Sequence, residues 1–317
     1  MKKSICVCLL AIILICSCGC RDSVTKDDGI TIVTTVFPEF DWTREILGDE
    51  RDVKLILLTE NGADLHSYQP TVADVAAIAS ADLLIYAGGA SSQWIEDVLK
   101  DNPSSSRPVI RLIDLLSDDE KLTEQSHHHN AEHHDDEYDE HVWLSLKLAA
   151  RFCDTICDAI CHIIPESKDE YRKNCESYTE KLKELDERYG ETVSAASVNT
   201  LLFADRFPFS YLTNDYGIEC YAAFPGCSAE TEASFETIAF LAQTLDSNKL
   251  PAIVVLENSD QTIATTVRNT ASSPSAVILT MNSLQSVTKA AIADGVTYLE
   301  MMHENLAALE IALGCED

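Results

Sequence analysis

Apolar residues fall along this chain in two alternating patterns. Short, almost continuous apolar runs, "TIVTTVF" at 31–37, "VKLILLT" at 53–59 and "ADLLIYAG" at 81–88, are bounded by turn residues. Runs of that length predict strands buried on both faces. Between them, "DWTREILG" at 41–48, residues 71–80 and "WIEDVLK" at 94–100 space their apolar residues three and four apart, which predicts helices. Pro38 is expected to close the first strand, and Thr71 stands where a helix N-cap belongs. A further strand is predicted over "PVIRLID" at 108–114. Strand and helix alternating at crossover spacing imply a parallel sheet covered on both faces.

The pattern then changes. "SLKLAARFCDTICDAICHII" at 145–164 predicts one helix, and residues 166–189 run without proline or glycine as a highly charged second one. Its apolar stripe is thin: Tyr171, Cys175, Tyr178, Leu182 and Leu185. Such a stripe suits a backbone lying along two domains, with Gly190 expected to end it. The strand and helix alternation restarts after that. Strands are predicted over "NTLLFAD", "IECYAAF", "PAIVVLE" and "AVILTM", helices over 208–217, 228–247 and 259–271, and a closing helical region over 286–314. The fold class expected is α/β, with two parallel-sheet domains joined by one long rigid helix.

At 317 residues the chain has length for two such domains. Lys and Arg number 23 against 53 Asp and Glu, a formal charge of -30. That balance repels nucleic acid phosphates and anionic membrane surfaces and favours cationic ligands. No GxGxxG or GxxxxGK[ST] pattern occurs, so nothing points to a dinucleotide or a P-loop site.

The first twenty residues, "MKKSICVCLLAIILICSCGC", read as a secretory signal too short for a membrane span. "ICSC" resembles a bacterial lipobox, which makes Cys18 the expected lipidated residue and Cys20 its competitor. Five of the twelve cysteines belong to this leader. The odd number left prevents complete internal pairing. Cys153, Cys157 and Cys161, four apart on one helix face, read as buried thiols packing as small hydrophobes. Cys220 and Cys227 flank "YAAFPG", and the sequence leaves their pairing open.

In open parallel folds ligands settle beyond the carboxyl ends of strands, or in the cleft between domains. His66 follows the second strand in "NGADLHSYQP"; His141 ends the run "HHHNAEHHDDEYDEH" at 127–141 and leads into the apolar "VWL". An imidazole fixed in a cleft binds Zn²⁺ through one nitrogen while the other donates to an orienting oxygen, for which Asp64, Asp139 and Glu140 are candidates. The second half offers Asp205, Glu230, Glu257 and Asn282 at comparable strand ends. An ion pair with a carboxylate is the structural role for Arg206. The run from 127 to 136 has five histidines and no apolar anchor, so it reads as a loose collector of cations or a solvated loop.

"NGADLHSYQPTVADV", "DEHVWLSLKLA", "DRFPFSYLTNDYG" and "PGCSAETEASFETIAFLAQ", in that order, resemble the metal-binding lipoproteins of zinc and manganese ABC importers, the ZnuA/TroA-like solute-binding proteins. The likeness spans about residues 30–313. It implies a metal held in the interdomain cleft and passed to an ABC permease driven by its ATPase. His66 and His141 match the first two ligands of that family. Arg206 stands where a third histidine is common and Asn282 where a carboxylate is usual, so either Asp205 or Glu230 is expected to complete the sphere, or water does, or the site differs in metal and affinity from the standard members.

The resemblance divides the chain into a signal at 1–18, an N-terminal domain at 30–165 with a histidine-rich loop at 120–138, a linking helix at 166–190 and a C-terminal domain at 191–317. Extracytoplasmic capture of Zn²⁺ by a lipid-anchored monomer is the expected function, with no reaction catalysed. Mn²⁺ transport, a surface adhesin and a secreted metallohydrolase are the alternatives, and the last lacks an HExxH motif.

Overall fold

The computed structural model describes residues 29–59, 62–63, 65–101, 103, 107–123, 138–226, 232–272 and 275–315. The leader with Cys18 and Cys20, the histidine-rich residues 127–136, Asp64, Cys227 and Glu230 lie outside the described residues.

Two four-stranded parallel sheets form the two lobes. In the first, β1 (Ile30–Thr34), β2 (Val53–Leu57), β3 (Leu83–Tyr86) and β4 (Val109–Arg111) are ordered β2-β1-β3-β4. In the second, β5 (Thr200–Phe207), β6 (Glu219–Pro225), β7 (Ala252–Leu256) and β8 (Val277–Met281) repeat that arrangement as β6-β5-β7-β8. Each order reverses beside the lobe's first strand, and ligands gather at the carboxyl ends next to such a reversal.

The first lobe carries α1 (Phe37–Leu47), α2 (Val72–Ser80), α3 (Gln93–Asp101) and α4 (Leu146–Ile163). Thr71 caps α2, its hydroxyl accepting from Asp74 N while Asp74 Oδ2 accepts from Thr71 N. Pro38 does not merely close β1. It lies in the first turn of α1, where its missing N–H costs nothing.

The long helix α5 spans Lys168–Ala195, so it runs past Gly190. A glycine inside a helix costs about 1 kcal/mol, and packing on either side of it overrides that preference. Tyr189 is fully buried and its hydroxyl donates to Met302 O at 2.7 Å. The predicted stripe of Tyr171, Cys175, Tyr178, Leu182 and Leu185 is the buried face. Cys153, Cys157, Cys161, Cys175 and Cys220 are buried free thiols.

The second lobe adds α6 (Ser210–Tyr216), α7 (Phe235–Asn248), α8 (Thr262–Thr270), α9 (Lys289–Ala293) and α10 (Tyr298–Ala312). Gly295, at φ +93°, separates the last two, where the sequence reads as one helical region. α10 crosses back to the first lobe. Asp41 Oδ2 accepts from Tyr298 N at 2.7 Å, Arg44 pairs with Asp41 and donates to Val296 O, and Trp42 packs between Phe152 and Tyr298. The start of α10 therefore ties the second half of the chain back onto the first lobe.

Candidate metal centre

His66 sits on a 3₁₀ turn, Leu65–Ser67, beyond the carboxyl end of β2. The apolar side chain of Leu65 is buried and anchors that turn. His141 precedes the 3₁₀ turn Val142–Leu144, whose three side chains are all buried. Trp143 fixes this turn from the second lobe's side: its indole donates to Ser283 O at 2.9 Å and its carbonyl accepts from Tyr298 Oη at 2.7 Å. The two imidazoles meet with Nε2 atoms 3.4 Å apart.

Each ring is oriented from its other nitrogen. Asp139 Oδ1 accepts from both the backbone N and Nδ1 of His141, each at 2.8 Å. Ser91 Oγ lies 2.8 Å from His66 Nδ1 and donates to Glu140 Oε1 at 2.5 Å, while Glu140 Oε2 accepts from Ser91 N. With the single hydroxyl proton of Ser91 on the carboxylate, His66 Nδ1–H is the donor to Ser91 Oγ. Both imidazoles thus carry their proton on Nδ1 and turn an Nε2 lone pair toward the other. Burial raises the Glu140 carboxyl to about 7 against the opposing pull of His141 and the Ser91 hydrogen bonds.

Two lone pairs facing each other at 3.4 Å repel unless a cation lies between them. Zn–N bonds of about 2.0–2.1 Å at a tetrahedral angle hold their nitrogens about 3.3–3.4 Å apart. The observed spacing fits that geometry and exceeds the usual range of a direct N–H···N hydrogen bond.

The second lobe approaches this pair closely. A β-carbon on Gly226 would lie 3.5 Å from His141 Cε1 and 2.8 Å from Phe207 O, so the chain after β6 passes directly beside the ring. Glu230 belongs to the segment that follows. Asp205 is differently engaged: Oδ1 accepts from Arg206 N at 2.8 Å and Oδ2 from Leu256 N at 3.3 Å. It lies at the register shift in β5, where β5 and β7 part, and supplies the acceptors that the interrupted ladder lacks. Among the described residues no group of three or more His, Cys, Asp or Glu side chains is placed to hold an ion, and the two histidines are the pair that is brought together.

Glu257 and Asn282 hold the loop after β8 in place. Glu257 accepts from Ser283 N and Oγ at 3.0 and 2.6 Å, and Asn282 exchanges hydrogen bonds with Asn305. Ser91 and the lobe-crossing Tyr211 were not singled out by the sequence. For Ser91 the available signal was its place after the Gly88-Gly89 pair that ends β3.

Sequence and fold comparisons agree with this architecture. The zinc-binding lipoprotein AdcA of Streptococcus pneumoniae is 30% identical over 294 residues, covering 92% of this chain and 57% of that protein. The chain thus spans little more than half the length of that relative. The high-affinity zinc uptake system protein ZnuA of Bacillus subtilis is 28% identical over 308 residues, 95% of this chain and 94% of its own. The solved Zn(II)-bound ZnuA-like domain of S. pneumoniae AdcA superposes with a TM-score of 0.73 at 28% identity, over 90% of this chain and 99% of that one. The family model for ZnuA, the zinc-uptake complex component A, periplasmic, matches residues 32–312, and the chain belongs to that family.

Proposed function

We propose that the chain captures Zn²⁺ outside the cytoplasm, in the cleft between its lobes, and delivers it to an ABC-type importer made of a permease and its ATPase. The observation that carries this reading is the pair of Nε2 atoms 3.4 Å apart, each on a ring whose Nδ1 lies 2.8 Å from an oxygen, the part-buried Ser91 Oγ for His66 and the buried Asp139 Oδ1 for His141. Two imidazole donors favour zinc over the harder manganese ion, which takes carboxylate and carbonyl oxygens more readily. Mn²⁺ remains the competing cargo because oxygen donors from the second lobe would suit both ions. The role is binding and release, with no reaction catalysed. The AdcA and ZnuA relatives carry zinc in their names, which supports the same cargo here.

His66 and His141 supply the nitrogens in this reading, and the second lobe supplies the rest of the sphere, with Glu230 and Asp205 as its candidates. A lipid anchor at Cys18 or Cys20 would keep the body beside its permease. Calorimetry on metal-stripped protein lacking residues 124–137 tests the site. Zinc binding tighter than about 1 μM, abolished by His66→Ala with His141→Ala, is the expected result. Tight binding that survives both substitutions sinks the cleft site. Competition with Mn²⁺ on the same protein decides the cargo.

A further inference from the structure

The residue that ties the second lobe to His141 is Tyr211, on α6. Its hydroxyl donates to Asp139 O at 3.1 Å and accepts from Leu122 N at 3.2 Å. Those two partners face each other directly, because Asp139 N donates to Leu122 O at 2.8 Å and Thr123 pairs with Tyr138 in an antiparallel bridge. One buried hydroxyl therefore clamps the neck from which residues 124–137 emerge, at the residue whose carboxylate holds both the backbone and the ring of His141.

The same helix grips the other flank of the segment. Asp215, one turn after Tyr211, accepts from Ser145 Oγ at 2.6 Å, and Ser145 is the N-cap of α4. α6 thus straddles residues 139–145 with His141 between its two grips. A movement of the second lobe cannot leave this segment unchanged, since both attachments are made by side chains of one short helix.

We propose that Tyr211 is the positioning residue through which the second lobe sets the hold of His141 on its metal ion. It acts through Asp139 and does not touch the ion. Displacing α6 withdraws the hydroxyl, frees the Asp139 carbonyl and loosens the orientation of the imidazole, which favours release. Metal sites weaken about 10- to 100-fold when the groups orienting their ligands are removed, and a partner one step further out belongs at the low end of that range.

The inference rests on zinc binding at His66 and His141, and the test separates the two. Tyr211→Phe keeps the packed ring and deletes only the O–H. Stopped-flow chelation of the zinc-loaded full chain should show dissociation about tenfold faster, with association unchanged. The same substitution in an Asp139→Asn background should change the rate less than twofold. Unaltered dissociation, or equal acceleration in both backgrounds, overturns the proposal. Long-range ¹H–¹⁵N spectra of the metal-free protein give a readout that needs no zinc: Tyr211→Phe should shift the His141 ring nitrogens and leave those of His303 in place. Unshifted His141 resonances overturn the inference even if zinc binds. A wild-type chain that binds no zinc but shows the shift overturns the transport reading and keeps Tyr211 as the residue orienting His141.

Discussion

Gly89 and Glu140 approach so closely that a β-carbon on the glycine would lie 2.5 Å from Glu140 Oε2 and 2.6 Å from its Cβ. Gly89 also holds φ at +80°, which an L side chain adopts only with strain. Gly89→Ala should therefore move the carboxylate that fixes Ser91 and His66. The expected result is a zinc affinity lower by about tenfold or more together with a lower melting temperature. Gly217→Ala is the comparison, because φ there is +67° but no atom lies within 4 Å of the added carbon. It should cost about 1–2 kcal/mol of stability and leave zinc affinity unchanged, as calorimetry and thermal melts would report.

Stability should fall as pH rises from about 4.5 to about 8, through Glu39. Burial raises its carboxyl to about 8, against hydrogen bonds from Thr35 and Val36 that pull the other way. Oε2 accepts all three of those bonds, and the buried Oε1 has no partner to offset the cost of a charge. In that window the unfolded chain has released the proton that the folded chain keeps. The unfolded state binds fewer protons, so the slope of stability against pH is negative, and it flattens above the folded value. Glu39→Gln should make this slope shallower in denaturant melts, most clearly between about pH 7 and 8, above the raised values of Asp41 and Glu140. An unchanged slope would place the titrating group elsewhere.

Deleting residues 124–137 should leave the tight site whole. Thr123 and Tyr138 are already bridged, so a two-residue turn can rejoin them without moving Asp139. Zinc titration should then show fewer weakly held ions and the same highest affinity. Loss of the tight phase would mean that the insertion contributes a donor.

Asp205 and Glu230 can be told apart by what each costs. Asp205→Ala removes the acceptors for Arg206 N and Leu256 N, and should lower stability by about 1–3 kcal/mol with zinc affinity changed less than threefold. Glu230→Gln should leave the melting temperature alone and weaken zinc. The reverse outcome would assign the metal to Asp205.

Much of this was legible in the sequence. Parallel strands are written as short apolar runs, so the places of β1 to β8 along the chain could be read directly, even though β2, β4 and β8 are only partly buried. His66 and His141 stood out because a strand end and an apolar anchor mark each of them. Other features depended on groups far away in the chain. Gly190 looked like a stop, and it is contacts with α10 and the residues after it, of Tyr189 with Met302 and of Thr192 with Glu310 and Cys315, that carry α5 past it. Asp205 stood out as a strand-end carboxylate, and its hydrogen bond to an N–H 51 residues away was not legible. Ser91 and Tyr211 were silent because a single hydroxyl has no periodicity, and its role comes entirely from the partners that folding brings to it.

The crossing of α10 onto the first lobe bears on how the chain acquires its shape. Asp41 waits for Tyr298, a partner 257 residues later, and Trp42 waits for the same ring. The N-terminal half cannot finish its interior as it emerges, because one wall of that interior lies 257 residues further along the chain. Loop closure over such a span is slow, and a half-built lobe exposes apolar surface meanwhile. A chain interrupted before residue 298 would therefore leave the first lobe unfinished. The interior of the first lobe is thus complete only when α10 has docked.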